Sequence, residues 1–290
     1  MSDTPGRVLI VGCGDLGTEV GLRLAARGHD VVGLRRSPGV LPDAITPLAG
    51  DITTDGGVPS LPGDVEFVVH AVAGARGADA YAALYRDGLR RVLDALNSAG
   101  ARPRRVVFVS ATSVYDVTDG SSVDEDTPAD PATDTGAVLL ETEHVLADAG
   151  LPSTTSLRLA GVYGPGRTRV IDEVRDGSAR LPDPPVHTNR IHRDDAASAV
   201  GRLLLDVDEL APVYLGVDDD PADKGEVLRF LADELGVPHP PPAEPGAGRS
   251  RGGDKACRND RLRATGWTPT YPTYREGYRA ILAGDGIRYP

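Results

Sequence analysis

The chain has 290 residues, 40% of them apolar, and a formal net charge of −12, so it is long enough to bury a full core, as one large domain or one domain with a small lobe. The acidic balance argues against nucleic acid and anionic membranes as main partners, and no apolar run approaches the ~18–20 residues of a membrane span. The two cysteines, Cys13 and Cys257, make neither a disulfide framework nor a metal spacing, and the opening M-S-D-T-P-G-R lacks a signal-peptide core; a cytoplasmic protein without a metal site is expected.

The first apolar run, residues 8–11 (V-L-I-V), reads as a buried parallel strand. Gly12, Gly14 and Gly17 follow it with the spacing G-x-G-x-x-G. Gly12 allows a tight turn, Gly14 lets the backbone approach a pyrophosphate, and Gly17 lets the next helix pack close to the strand. Asp15 and Leu16 open that helix, whose free N–H groups and positive dipole end would receive the pyrophosphate. Leu16, Val20 and Leu24 make its inward stripe, Gly28 ends it, and residues 29–34 read as a second strand. This is a β-α-β unit of dinucleotide-binding size.

A NAD-preferring site carries an acid at the end of that second strand, for the ribose 2′-hydroxyl. Here Arg35 stands about where the acid would be, followed by Arg36 and Ser37. Two arginines and a serine suit a 2′-phosphate by charge and forked hydrogen bonds, so NADP is favoured and NAD remains possible. Residues 45–49 form a weak third strand, ending at Asp51 and Ile52; Asp51 reads as a turn residue or a partner of an adenine amino group. Residues 66–70 are the fourth strand, opening into Ala71, Val72 and Ala73, small residues over which a cofactor can lie.

A long helix is expected over 78–98, with Tyr81, Leu84, Tyr85, Leu89, Val92, Leu93 and Leu96 on one apolar face. The fifth strand, 105–110, runs into Thr112, Ser113 and Tyr115. Residues 116–135 read as an acidic surface loop over the strand ends. A helix over 136–149 and a sixth strand over 155–159 follow. A helix over 196–205 is expected to be capped by Asp194 or Asp195, then a short strand at 213–215 and a helix over 225–235. Residues 238–253 read as a mobile proline- and glycine-rich linker, and the last stretch holds Trp267 and a short helix from Tyr274. Alternating strands and helices with short turns mean an α/β fold, a Rossmann-type doubly wound parallel sheet. Residues 1–160 are assigned to the nucleotide-binding domain, its core continuing to about 215; residues 161–290 are mainly a substrate lobe interleaved with that core.

Five ordered motifs carry a family resemblance: G-C-G-D-L-G at Gly12, G-D-I-T at Gly50, V-S-A-T-S-V-Y at Val109, R-L-A-G-V-Y-G-P-G at Arg158 and I-H-R-D-D-A-A at Ile191. With the closing N-D-R-L-R-A-T-G-W, the chain resembles an extended short-chain dehydrogenase/reductase of the NAD-dependent epimerase/dehydratase family. The resemblance implies that Asp51 and Ile52 flank the adenine and that Ala71 to Ala73 cross the pyrophosphate and ribose. It also implies that Leu159, Ala160 and Gly161 line the nicotinamide. The helices over 78–98 and 136–149 match those that build a homodimer interface in the family.

The family's Tyr-x-x-x-Lys pair is missing. Its two places fall on Thr135 and Leu139, and the hydroxyl position four residues before Tyr115 is Ala111. The only lysines are Lys224 and Lys255, and neither has a tyrosine four residues earlier. Threonine has no phenol acidity and leucine no charge, so general acid–base help of typically ~10²–10⁴-fold must come from elsewhere or be dispensed with. Candidates are Thr112 and Ser113 as hydrogen bonders to a substrate carbonyl, Tyr115 near the site mouth, and His187, an imidazole in the loop expected to face substrate. Each also has an ordinary structural reading: a turn, a packed ring or a surface imidazole. His70 and His192 read as structural. An NAD(P)-dependent oxidoreductase or epimerase/dehydratase-type enzyme, acting on a small polar substrate with a non-standard acid/base, is the leading expectation, and a nucleotide-binding sensor or pseudoenzyme without redox turnover is the alternative.

Overall fold

The computed structural model describes residues 5–74, 76–244 and 253–290. The chain begins with β1 (Arg7–Val11), α1 (Asp15–Ala26), β2 (Asp30–Arg35), β3 (Thr46–Ala49) and β4 (Val65–His70). Next come α2 (Ala78–Leu84), α3 (Arg86–Ser98), β5 (Arg105–Ala111), β6 (Ser122–Val123), α4 (Asp134–Ala147) and β7 (Thr154–Leu159). The second half holds β8 (Gly161–Tyr163), α5 (Arg169–Arg175), β9 (His187–Thr188), β10 (Arg190–His192), α6 (Arg193–Leu205) and β11 (Val213–Gly216). It closes with β12 (Ala222–Asp223), α7 (Lys224–Leu235), β13 (Ala256–Cys257), α8 (Asp260–Ala264) and α9 (Tyr274–Ala283).

Seven strands make one sheet in the order β11-β7-β5-β4-β1-β2-β3, every pair parallel. Alternation along each strand divides the core. Leu9, Val11, Val68, Val106 and Phe108 face Leu89, Val92, Leu96 and Leu139. Val8, Ile10, Val69 and Val107 face Val20, Leu24, Ala196 and Leu203. Both faces are therefore covered, as a parallel sheet requires. From β1 the chain steps outward to β2 and β3, then crosses back to β4 on the other side of β1, so the switch point lies beside β1, at the carboxyl ends of the strands. A third apolar cluster, with Tyr163, Ile171, Leu231 and Tyr278, forms the smaller lobe from the later elements. Among the described residues no helix is long and apolar enough to cross a membrane.

Several local expectations are corrected. The helix foreseen over 78–98 is two helices meeting at Tyr85, whose ring is buried and stacked on Tyr81 at 4.9 Å. The acidic segment after β5, read as a surface loop, also carries the short strand β6. Val123 is fully buried, β6 pairs with β13, and Glu125 accepts from the Leu215 N–H at 2.8 Å. Helix α6 is capped by His192, whose Nδ1 accepts from the Asp194 N–H, not by Asp194 or Asp195. Asp195 instead takes the Thr270 and Tyr271 N–H groups at 2.6 and 2.9 Å, fastening the last segment to the core. Of the linker foreseen over 238–253, residues 245–252 lie outside the described residues.

Candidate functional site: a cleft at the switch point

A cleft of about 790 Å³ opens where the strand order reverses. The sequence-assigned residues Gly12, Gly14, Asp15, Leu16, Arg35, Arg36, Ser37, Asp51, Ile52, Ala71, Val72, Ala73, Leu159 and Ala160 all line it. They come from the ends of β1, β2, β3, β4 and β7 because parallel strands bring their carboxyl ends to one edge. Gly17 and Gly161 do not line it.

The three motif glycines differ in what surrounds them. Gly12 has φ +84°, and a Cβ there would stand 2.7 Å from the Ala71 oxygen. At Gly17 a Cβ would stand 2.5 Å from the Gly12 oxygen, so this glycine serves the approach of α1 to the turn. At Gly14 a Cβ would meet no protein atom within 4 Å. Nothing in the chain's own packing demands glycine there; the space belongs to the cleft. A pyrophosphate placed against Gly14 would meet the unpaired N–H groups of the first turn of α1, so the residues present fit a dinucleotide.

Arginines gather at the α1 end of the cleft. Asp15, in the first turn of α1, accepts from Arg167 Nε at 2.9 Å and from buried Arg193 at 2.7 Å, so its charge is matched twice. Arg35 is half-buried and donates to the Cys13 carbonyl and the Pro290 main-chain oxygen. Arg36 and Ser37 are exposed beside it. Asp51 accepts from the Thr53 hydroxyl at 2.6 Å and its N–H at 2.9 Å, which hold the carboxyl below the usual carboxylate range. It thus braces its own turn while lining the cleft.

At the inner end stand Val109, Ser110, Ala111, Ser113, Leu139, Leu159, Ala160 and Val162. Leu139 fills the place where the family resemblance puts lysine, and Thr135 is outside the lining. Of the four candidates for chemistry, only Ser113 reaches the cleft, where it is exposed. Thr112 is buried in the turn beneath it. Tyr115 is turned into the core: its hydroxyl accepts from Arg158 at 2.5 Å, and burial pushes its pKa up to about 12. His187 is also away from the cleft, with Nδ1 2.9 Å from Asp254 on the β9 side of the smaller lobe. Neither position suits an acid or base for a substrate in the cleft. The buried Lys255 donates to the Tyr115 carbonyl at 2.8 Å and acts as a strut.

Ser110 lines the cleft, and its hydroxyl donates to Glu143 at 2.6 Å. Glu143 is clasped by Arg158 through Nε and a terminal nitrogen at 2.6 Å. This buried group meets the cleft through Ser110 alone of its members. Sequence reasoning did not single out Tyr81, Tyr85, Val162 and Arg167, which also line the cleft. The i, i+4 spacing of the two tyrosines was a signal, but it is equally the spacing of a core stripe.

Fold and cleft define a Rossmann-type dinucleotide-binding protein. The sequence model of the NAD dependent epimerase/dehydratase family matches residues 8–210, and the chain belongs to that family. It is 31% identical over 309 aligned residues to a 3-diazoavenalumate denitrifying reductase of a Streptomyces species, covering 93% of this chain and 98% of the relative. A solved protein from Methylobacillus flagellatus, described as a NAD-dependent epimerase/dehydratase, superposes with TM-score 0.80. It is 36% identical and covers 97% of this chain and 99% of its own. The Thermus thermophilus UDP-glucose 4-epimerase, solved with NAD, shares the fold at TM-score 0.76 and 23% identity, over 96% of this chain and 98% of its own.

Proposed function

We propose that the protein is an NADP-preferring reductase of a small polar substrate whose reduction asks the protein for little or no proton. The observation that carries this reading is Leu139 at the inner end of a cleft otherwise fitted to a dinucleotide. When bound, the dinucleotide supplies a hydride. The chain's own residues do the rest. Gly14 and the first turn of α1 seat the pyrophosphate. Arg35, Arg36 and Ser37 hold the 2′-phosphate, and Asp51 and Ile52 flank the adenine. Leu139, Leu159, Ala160 and Val162 keep water from the reacting end.

Reduction of a carbonyl leaves an alkoxide that must be protonated, and a phenol held by a lysine is what the cleft lacks. An electron-poor centre that takes hydride and expels a neutral leaving group has no such need. In an arenediazonium the carbon–nitrogen bond breaks, dinitrogen leaves and a carbon–hydrogen bond forms; both electrons arrive with the hydride. The name of the Streptomyces relative supports this class, being a denitrifying reductase of a diazo compound.

The test is to incubate the protein with deuterium-labelled NADPH and, separately, arenediazonium salts and a panel of aldehydes and ketones. Deuterium at the carbon that carried nitrogen is expected. Turnover of carbonyls alone would restore the need for a protein acid. Tight nucleotide binding with transfer to neither class would favour the other reading that Leu139 permits, a nucleotide sensor without redox turnover.

A further inference from the structure

We propose that residues 285–290 form a strap that positions Arg35 for a 2′-phosphate, making Pro290 a specificity-determining residue; this rests on the NADP reading above. Arg35 ends β2, where a NAD site carries an acid. One terminal nitrogen of its guanidinium donates both to the Cys13 carbonyl at 3.1 Å and to the Pro290 main-chain oxygen at 2.9 Å. Both hydrogens of that nitrogen are therefore spent. Nε and the other terminal nitrogen have no hydrogen-bond partner among the described residues. They form the side-on edge of the fork, two parallel N–H groups matched to two oxygens of a phosphate. Arg35, Arg36 and Ser37 line the cleft together.

The strap is fixed independently of Arg35. Helix α9 ends at Gly284 in the left-handed conformation, φ +84°, which turns the chain back toward the cleft. Arg193, 2% exposed in its side chain, then donates to the Ile287 carbonyl at 2.8 Å and stacks under the Tyr289 ring, 5.1 Å from its centroid. The Tyr289 N–H donates to Asp15 at 3.2 Å, and Arg288 donates to the Gly166 carbonyl. Ile287 is 67% exposed, so polar contacts rather than apolar burial hold the segment. An acceptor anchored this way fixes the Arg35 rotamer before any ligand arrives, which removes an ordering cost from binding.

The experiment compares the full chain with a variant ending at Arg288, which lacks Tyr289 and Pro290 but keeps the Ile287 and Arg288 anchors. Each is titrated calorimetrically with NADPH, NADH and adenosine 2′,5′-bisphosphate. The shortened chain should bind NADPH and the bisphosphate about tenfold more weakly, with NADH changed by less than about twofold. Equal weakening of NADPH and NADH would reduce the strap to a structural part and overturn the inference. So would an unchanged NADPH affinity, or a tighter one, the latter meaning that Pro290 competes with the phosphate. Preference of the full chain for NADH would overturn both the strap and the Arg35 assignment while leaving hydride transfer standing. Binding of neither nucleotide to the full chain would defeat the functional reading itself.

Discussion

The Arg158 guanidinium lies between two groups, donating to the Tyr115 hydroxyl at 2.5 Å and clasping the Glu143 carboxylate at 2.6 Å. The tyrosine of V-Y is thereby part of the core. Its phenol is buried and hydrogen-bonded to a cation, and it has no path to a substrate in the cleft. Tyr115→Phe should leave turnover within about twofold of the parent and cost about 1–3 kcal/mol of stability, because a buried charged donor loses its acceptor. Urea unfolding and steady-state rates measured on the same preparation check both halves. His187→Ala, at an exposed site, should change neither rate nor stability appreciably.

Glu143 is the keystone of the same group, holding Arg158 and the Ser110 hydroxyl together. Glu143→Gln leaves the guanidinium buried without a counter-charge. Breaking one side of a buried pair costs about 3–5 kcal/mol. The thermal midpoint should fall, and because Ser110 is in the cleft wall, nucleotide affinity should fall with it. Differential scanning calorimetry with and without NADPH separates the two effects.

The motif glycines make a contrasted pair. At Gly14 an added methyl meets no protein atom within 4 Å, whereas at Gly17 it meets the Gly12 oxygen at 2.5 Å. Gly14→Ala should keep stability within about 0.5 kcal/mol yet weaken nucleotide binding at least about tenfold, since the methyl takes the place of the phosphate. Gly17→Ala should cost about 1–3 kcal/mol by overpacking. Equal losses of stability in the two variants would contradict this division of roles.

The parts of this architecture that sequence made legible are the parts set by spacing along one element. Gly12, Gly14 and Gly17 follow β1 within six residues, and the ends of β1, β2 and β4 follow from short apolar runs, so most of the lining at that end of the cleft could be gathered from sequence. What escaped depended on contacts across the chain. Tyr115 was open to two readings, a packed ring or a group at the site mouth, and what decides between them is Arg158, 43 positions later, which meets its hydroxyl. Arg35 is legible as the residue ending β2, but its contact with Pro290, 255 positions later, is not. His192 as the cap of α6 was hidden by the two aspartates that follow it, which are far commoner caps. Tyr81 and Tyr85 occupy positions whose periodicity is the same for a core stripe and a cleft wall.

His70 ends β4 completely buried, and neither ring nitrogen has a hydrogen-bond partner among the described residues. Burial pushes its pKa from the ordinary 6.5 down to about 3. The folded chain thus leaves the imidazole neutral while the unfolded chain takes up a proton below pH 6.5. The unfolded state binds more protons through this window, so stability drops as pH falls from about 6.5 toward 3. His70→Leu removes that uptake. Its unfolding free energy should fall less steeply between pH 6.5 and 4 than the parent's, as read from urea titrations at several pH values.

Ser113 is the remaining test of whether the protein contributes a hydrogen bond to the reaction. It is exposed in the cleft next to Ala111, and its hydroxyl makes no hydrogen bond among the described residues. A neutral hydroxyl can steady a substrate but cannot match an ionisable acid, whose contribution is typically ~10²–10⁴-fold. Ser113→Ala should therefore reduce kcat/KM by about tenfold or less, in line with one neutral hydrogen bond, with no change in the pH profile. A loss of a thousandfold, or the disappearance of a basic limb in the profile, would mean that proton delivery runs through Ser113. The proposal of a substrate reduced without a protein acid would then fail.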